Sequence, residues 1–349
     1  MNISQYTIYS SETILSALIS LNKLKGDSLT LFVVDKNLKV VGTITDGDIR
    51  RALIKGISTN DKVENAMNSN FRFFRKNNIG IKEFHDCKAK GIILMPVLNE
   101  DNKIDEIINL NCFISKLPID AVLMAGGKGE RLRPLTNETP KPLLKVGNKS
   151  IIDYNIDSLI SYGIENISVT VNYLKEQIEE HFTKSYKGIK INCVREPKFL
   201  GTIGSIKFVD KFHNDTILVM NSDIFTNINF EEFYLEFKEQ NADMAVACAP
   251  YTISVPYGIF DVDGNEIKGI KEKPTYNYYI NAGIYLIKKD LLNKIPDNEF
   301  FNATDFMDKL ITEGFKVVKF PIIGYWLDIG KMEEYSKAKE LVKHIFGSN

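Results

Sequence analysis

Apolar and polar positions alternate along this chain in two different rhythms. In the first, residues 29–35 form an apolar, β-branched run, Lys36-Asn37 makes a turn, 40–45 reads as a second strand, and a helix starts at Asp46 and runs to about 54. The same signature returns later: an apolar run over 92–98, a turn at Asn99-Glu100-Asp101-Asn102, and a strand over 104–108. A helical stretch precedes each pair, over 12–24 and 81–90. Similar strand-turn-strand spacing in both copies predicts a duplicated unit of roughly 55 residues. From Ile119 the rhythm changes. Strands are expected over 119–125, 167–171, 189–194, 217–220 and 244–248, and helices over 151–162, 174–182, 202–212, 230–240 and 331–346. Strands alternating with helices of this length mean βαβ units and a mostly parallel sheet. Such sheets bind ligands beyond the carboxyl ends of their strands. The boundary falls within 109–118, which gives an α/β module over 1–115 and a second α/β domain over 119–349.

Composition narrows the classes. At 349 residues the chain exceeds the size at which one core keeps growing, which fits two domains. The apolar share of 44% and charged share of 26% are those of a globular protein, not of a disordered chain or a rod. No run approaches the ~18 apolar residues of a membrane span, and the N-terminus shows no basic segment followed by an apolar run. A cytoplasmic protein is expected. The net charge is −1 with no polybasic block, so neither nucleic acid nor an anionic membrane is an expected partner. Cys87, Cys112, Cys193 and Cys248 are widely separated and only four histidines are present, which argues against a zinc site and fits free thiols.

The densest chemical signal follows the first strand of the second domain. In Ala125-Gly126-Gly127-Lys128-Gly129-Glu130-Arg131, the glycines let backbone N–H groups approach phosphate oxygens closely, and Arg131 adds a planar fork that suits phosphate. Spacing excludes two phosphate motifs. A P-loop needs Ser or Thr after Gly-Lys, where Gly129 stands; a dinucleotide fingerprint needs a third glycine where Leu132 stands. Further on, Pro140 and Pro142 are expected to hold Lys141 extended, presenting it as an anion clamp. Asp223 lies just past the strand over 217–220, and Asp328 follows Tyr325-Trp326-Leu327.

Together these residues resemble the signature of the sugar-1-phosphate nucleotidylyltransferases. Leu200-Gly201-Thr202, Asn221-Ser222-Asp223, Glu272-Lys273-Pro274, Asn281-Ala282-Gly283 and Trp326-Leu327-Asp328-Ile329-Gly330 recur in the family's order, and the resemblance covers nearly the whole second domain. It implies a Rossmann-like domain with a mixed, mostly parallel sheet, and an Mg²⁺-dependent attack of a sugar 1-phosphate on the α-phosphorus of a nucleoside triphosphate. It further implies that Asp223 and Asp328 hold Mg²⁺. Arg131 and Lys141 would hold the triphosphate, and Ala125, Gly126, Gly127, Gly129, Gly201 and Thr202 would line the nucleotide. Lys273 would hold the sugar phosphate, and Glu272, Asn281 and the Gly258 backbone the sugar. Ser222 and Ile203 depart from the family, which more often has glycine and alanine there, and Met332 stands where a small polar residue is commoner.

Glu196 stands at the spacing where uridylyl- and thymidylyltransferases of this type carry glutamine. A carboxylate only accepts hydrogen bonds, and guanine presents two adjacent donors, so Glu196 favours GTP over UTP or dTTP. The N-terminal repeat resembles a CBS-domain pair through Gly42-Thr43-Ile44-Thr45-Asp46-Gly47-Asp48. By that resemblance Thr45 and Asp48 would hold an adenine nucleotide; the alternative is that this segment simply caps a helix. In the second copy Asn109 and Cys112 replace them. CBS pairs commonly associate, so a homo-oligomer is expected. The combination resembles the glucosamine-1-phosphate guanylyltransferases of bacterial legionaminic acid pathways, which favours glucosamine 1-phosphate. Mannose 1-phosphate with GTP, glucose 1-phosphate with UTP or dTTP, and a non-catalytic nucleotide sensor stand as alternatives.

Overall fold

The computed structural model describes residues 2–24, 28–76 and 79–347, and the chain divides into two compact units at Lys116 and Leu117. In the first unit β1 (Thr7–Tyr9), α1 (Ile14–Lys23), β2 (Thr30–Val34), β3 (Val40–Thr45) and α2 (Asp46–Ile54) form one copy; β4 (Phe74–Arg75), α3 (Ile81–Ala89), β5 (Leu94–Leu98) and β6 (Ile104–Asn109) form the other. Each is a three-stranded sheet of order first-second-third, the first pair parallel and the second antiparallel. Even the irregularity recurs: a bulge at Val33/Val34 sets Val34 opposite Val40, and one at Val97/Leu98 sets Leu98 opposite Ile104. The repeat is longer than the unit expected from the sequence, since β2 begins at Thr30 and its counterpart β5 at Leu94. One face of β2 puts Leu31 and Val33 into a core with α1, while Phe32 and Val34 on its other face meet Leu94, Leu98 and Ile107. Strands buried on both faces read as continuous apolar runs, which is the pattern seen in the sequence. The copies part company after their third strand: α2 follows β3, but only a single turn, Leu110–Cys112, follows β6.

The second unit contains β7 (Asp120–Ala125), β8 (Lys145–Val146), β9 (Lys149–Ser150), α4 (Ile151–Ser161), β10 (Ile167–Val171), α5 (Lys175–His181), β11 (Asn192–Arg195), β12 (Thr216–Asn221), β13 (Ile224–Thr226), α6 (Phe230–Glu239), β14 (Met244–Ser254), β15 (Ile259–Asp263), β16 (Glu266–Lys271), β17 (Thr275–Lys288), α7 (Ala303–Thr312), β18 (Val317–Pro321), β19 (Trp326–Asp328) and α8 (Met332–Phe346). Seven of these strands form one mixed sheet of order β11-β10-β7-β12-β17-β14-β18, antiparallel only where β17 meets its neighbours. The start of β7 is anchored by the buried Asp120 carboxylate, which accepts from the side-chain amides of Asn166 and Asn214 and from the backbone N–H groups of His213 and Asn214.

Three expectations need correction. Residues 202–212 form no α-helix, only a five-residue 3₁₀ turn over Gly204–Phe208, because backbone bonds from Ile203 and Gly204 to the Phe301 carbonyl hold the segment against another loop. The strand expected over 189–194 starts only at Asn192, since Tyr186 and Ile189 close a turn on each other. The strand expected over 244–248 continues to Ser254, where β14 and β17 leave the sheet together as an exposed two-stranded ribbon.

Candidate active site

Three parallel strands, β7, β10 and β12, deliver their carboxyl ends to one cleft of about 590 Å³. Ala125, Gly126, Gly127, Gly129, Arg131, Lys141, Glu196, Gly201, Thr202 and Asp223 all line it. The glycine loop holds its shape through local bonds. Gly129 has a left-handed backbone (φ 62°), the Thr136 hydroxyl donates to its carbonyl at 2.8 Å, and the Tyr173 hydroxyl donates to the Thr136 carbonyl at 2.9 Å. Nothing lies where a Gly127 Cβ would project, so this part of the loop faces open space. Lys141 is not extended as expected. It begins a 3₁₀ turn, Lys141–Leu143, whose fixed φ at Pro142 suits the start of a helix; the extended residue is Pro140.

Asp223 follows β12, and two contacts hold its neighbour in place. The Ser222 hydroxyl donates to the Met124 carbonyl at 2.7 Å, and the buried Asn155 amide on α4 donates to the Ser222 carbonyl at 3.1 Å. Asp328 arrives from the far end of the chain because β19 pairs with β13, setting Ile224 opposite Asp328. The Lys141 ammonium lies directly on Asp223 Oδ2 and 3.8 Å from Asp328 Oδ1. Arg131 packs against Gly330 and acts electrostatically on Asp328. Burial and the neighbouring Asp223 charge push the Asp328 carboxyl above its ordinary range, against the opposing pull of Lys141 and Arg131. Asp223 Oδ1 is buried with no hydrogen-bond partner. An orphaned carboxylate oxygen beside a second carboxylate of raised pKa is a donor set suited to a hard divalent cation such as Mg²⁺.

Glu196 is 4% exposed and packs against Gly126, where any side chain would collide with its carboxylate. Burial raises its pKa, while the Leu200 N–H, donating to Oε2 at 3.2 Å, pulls the other way. The hydroxyl of Thr202 accepts from the Ala303 N–H at 2.8 Å and so caps α7, a duty the sequence reading did not foresee. The residues expected on the sugar side stand apart from the lining of this cleft. Glu272 lies beside Gly258, Lys273 has a left-handed backbone (φ 44°), and the Asn281 amide donates to the Tyr285 hydroxyl at 2.9 Å while its oxygen accepts from the Gly283 N–H. Sequence reasoning passed over Asn155 and Tyr173. Asn155 was detectable as a polar residue on the apolar face of α4, among Ile151, Ile152, Ile156 and Leu159.

In the first unit, Thr45 and Asp48 form a capping box: the Asp48 N–H donates to the Thr45 hydroxyl oxygen, and Asp48 Oδ2 accepts from the Thr45 N–H at 2.9 Å. Arg51 donates to the other oxygen at 2.6 Å. Thr45 also lines a cleft of about 530 Å³ together with Asn68, Asn70, Arg72 and Lys90. No group of three or more metal-ligating side chains, and no helix long and apolar enough to cross a membrane, occurs among the described residues.

A family model for nucleotidyl transferases matches residues 120–344. The chain belongs to the nucleotidyl transferase family. It is 31% identical over 223 residues to a putative mannose-1-phosphate guanyltransferase of Sulfolobus acidocaldarius, a match that covers 63% of this chain and spans 62% of that relative's length. It is 29% identical over 229 residues to the D-glycero-alpha-D-manno-heptose 1-phosphate guanylyltransferase of Aneurinibacillus thermoaerophilus, covering 65% of this chain and 99% of that protein. Among solved structures, HddC from Yersinia pseudotuberculosis complexed with GMP-PN superposes with a TM-score of 0.52 at 25% identity, covering 64% of this chain and 99% of that one. This nucleotidyl transferase therefore shares its second unit with sugar-phosphate guanylyltransferases.

Proposed function

We propose that this nucleotidyl transferase moves a guanylyl group from GTP to a sugar 1-phosphate with the help of Mg²⁺. The observation that carries the reading is the meeting of Lys141 and Asp223 in the cleft that also holds the glycine loop and Glu196, with Asp328 Oδ1 3.8 Å from the Lys141 ammonium. In the reaction a sugar phosphate oxygen bonds to the α-phosphorus, the bond from that phosphorus to the bridging oxygen breaks, and pyrophosphate leaves. Two anions must approach each other, so the site has to cancel charge and align the reactants. When bound by Asp223 and Asp328, Mg²⁺ supplies Lewis acidity at the phosphoryl oxygens. The chain's own residues do the rest. The glycine-loop amides and Arg131 hold the triphosphate, and Lys141, pinned by the two aspartates, offers fixed positive charge that needs no reorganisation. Glu196 accepts from guanine N1–H and its exocyclic amine. Glu272, Lys273, Asn281 and the Gly258 backbone take the sugar phosphate.

For the sugar, glucosamine 1-phosphate remains the reading drawn from the N-terminal repeat, while the names of the relatives favour manno-configured substrates. Pyrophosphate release with Mg²⁺, tested for GTP, UTP, dTTP, CTP and ATP against glucosamine, mannose, glucose and D-glycero-D-manno-heptose 1-phosphates, decides. Release with GTP alone supports the base assignment, release with UTP or dTTP removes it, and silence with every pair favours a non-catalytic sensor. We read the first unit as a CBS-type pair that assembles the enzyme as a homo-oligomer or takes an adenine nucleotide. The specific support is the cleft that Thr45 shares with Arg72 and Lys90, cations suited to a phosphate. Calorimetry with AMP and ATP on the full chain tests it; absence of heat leaves the assembly role.

A further inference from the structure

Phe199 and Phe300 are 50% and 57% exposed, and their rings touch, with centroids 5.9 Å apart and planes tilted by 58°. Single exposed apolar residues need no explanation, but two large rings held together at the rim of a cleft do. Phe199 lines the same cleft as Glu196, Gly126 and Gly127. Its position is fixed from both sides. Toward the N-terminus, the Glu196 carboxylate accepts from the Leu200 N–H and closes the turn that carries Phe199. Toward the C-terminus, the Phe301 N–H donates to the Leu200 carbonyl at 3.0 Å, and the Ile203 and Gly204 N–H groups donate to the Phe301 carbonyl at 3.2 Å. Gly201 (φ 81°) permits this approach, since a Cβ there would meet the Phe301 carbonyl. The segment carrying Phe300 is thus clasped to the segment carrying Phe199. Phe301 turns inward to pack on the core while Phe300 stays outside against Phe199.

We infer that Phe199, braced by Phe300, is a stacking wall for the nucleotide base. This rests on the reading that the cleft takes a nucleoside triphosphate. Glu196 reads the edge of the base, the open backbone at Gly127 leaves room on one face, and Phe199 supplies an aromatic surface for the other. A rigid ring loses little entropy on stacking, and every base has a π-face, so the wall adds affinity without choosing the base. Edge reading and face stacking are therefore separate duties of one short loop.

The test is calorimetric titration of the full chain with GTP and, separately, with inorganic pyrophosphate, both with Mg²⁺. In Phe199→Ala the GTP dissociation constant rises about tenfold and that of pyrophosphate stays unchanged, because pyrophosphate has no base. Phe199→Trp restores GTP binding, and Phe300→Ala weakens it about threefold by loosening the wall. GTP affinity within twofold of the parent in Phe199→Ala overturns the inference, as does an equal loss for pyrophosphate, which would mean a disordered loop. If the parent prefers UTP and Phe199→Ala weakens UTP about tenfold, the wall stands and the guanine reading alone falls. A parent that binds no nucleotide overturns both.

Discussion

Two aspartates stand just past the end of a strand, one in each unit, and their fates differ. Asp48 is fully occupied: it receives the Thr45 N–H and hydroxyl on one oxygen and Arg51 on the other. Asp223 has Lys141 on one oxygen and nothing on the other, although that other oxygen is buried. Both lie in motifs that resemble ligand-binding signatures. The difference teaches that a motif locates a carboxylate, while its unspent hydrogen-bonding capacity tells whether the fold has already used it. A buried acceptor without a partner is costly in a folded protein and persists where a ligand completes it. A satisfied capping box costs nothing and stabilises its helix by itself.

The contrast can be broken from either side. Asp223→Asn should lower Mg²⁺-dependent pyrophosphate release by about 10³-fold, and it lowers the melting temperature as well because Lys141 loses its paired charge, while the circular-dichroism spectrum stays that of the parent. Retained turnover in the assay would remove Asp223 from the site. Lys141→Met should cost about 10²-fold in rate and leave two carboxylates facing each other, so melting at neutral pH should fall as well. The pH profile sharpens the reading of Glu196. Its pKa is raised by burial, so the carboxylate takes up a proton at higher pH than an ordinary glutamate. The protonated form no longer accepts from both guanine donors. KM for GTP should therefore climb on acidification, by about tenfold per pH unit below that pKa, and Glu196→Gln should flatten the profile. An unchanged profile in the variant would assign the titration elsewhere. The smallest effect belongs to the first unit. Thr45→Ala should destabilise it by about 1 kcal/mol through loss of the cap, with basal turnover intact. A variant that melts normally but loses response to AMP or ATP would reverse the comparison and give the motif a binding duty.

The sequence reading worked best where one physical cause dominated. Strands β3 and β10 and helix α2 have the limits their apolar runs and caps predict, because each is bounded by a turn or a capping residue. The glycine loop, Lys141 and Asp223 fall in one cleft because parallel strands deliver their ends to a common side. What stayed hidden depends on distant partners. Thr202 caps a helix that begins at Ala303, so no local pattern announces it. Ser222 stood out only as a departure from a family habit, yet its hydroxyl fastens the Asp223 segment to β7. The exposed part of β14 and β17 was missed although it alternates, Tyr251-Thr252-Ile253-Ser254 against Thr275-Tyr276-Asn277-Tyr278, because the strand was expected to end at Cys248 with the buried apolar run. The turn at Lys141–Leu143 shows the converse: prolines restrict φ, but they restrict it equally well to the start of a helix.

The pairing of β19 with β13 has a consequence for how this protein is made. Synthesis runs from the N-terminus, and the glycine loop, Lys141, Glu196 and Asp223 all emerge long before Asp328. The last strand must then thread back beside β13, and α8 must dock so that the Tyr335 hydroxyl reaches the Lys145 carbonyl. A growing chain on the ribosome thus carries the glycine loop, Lys141 and Asp223 before it carries Asp328. Asp328 joins the others only once β19 has paired with β13.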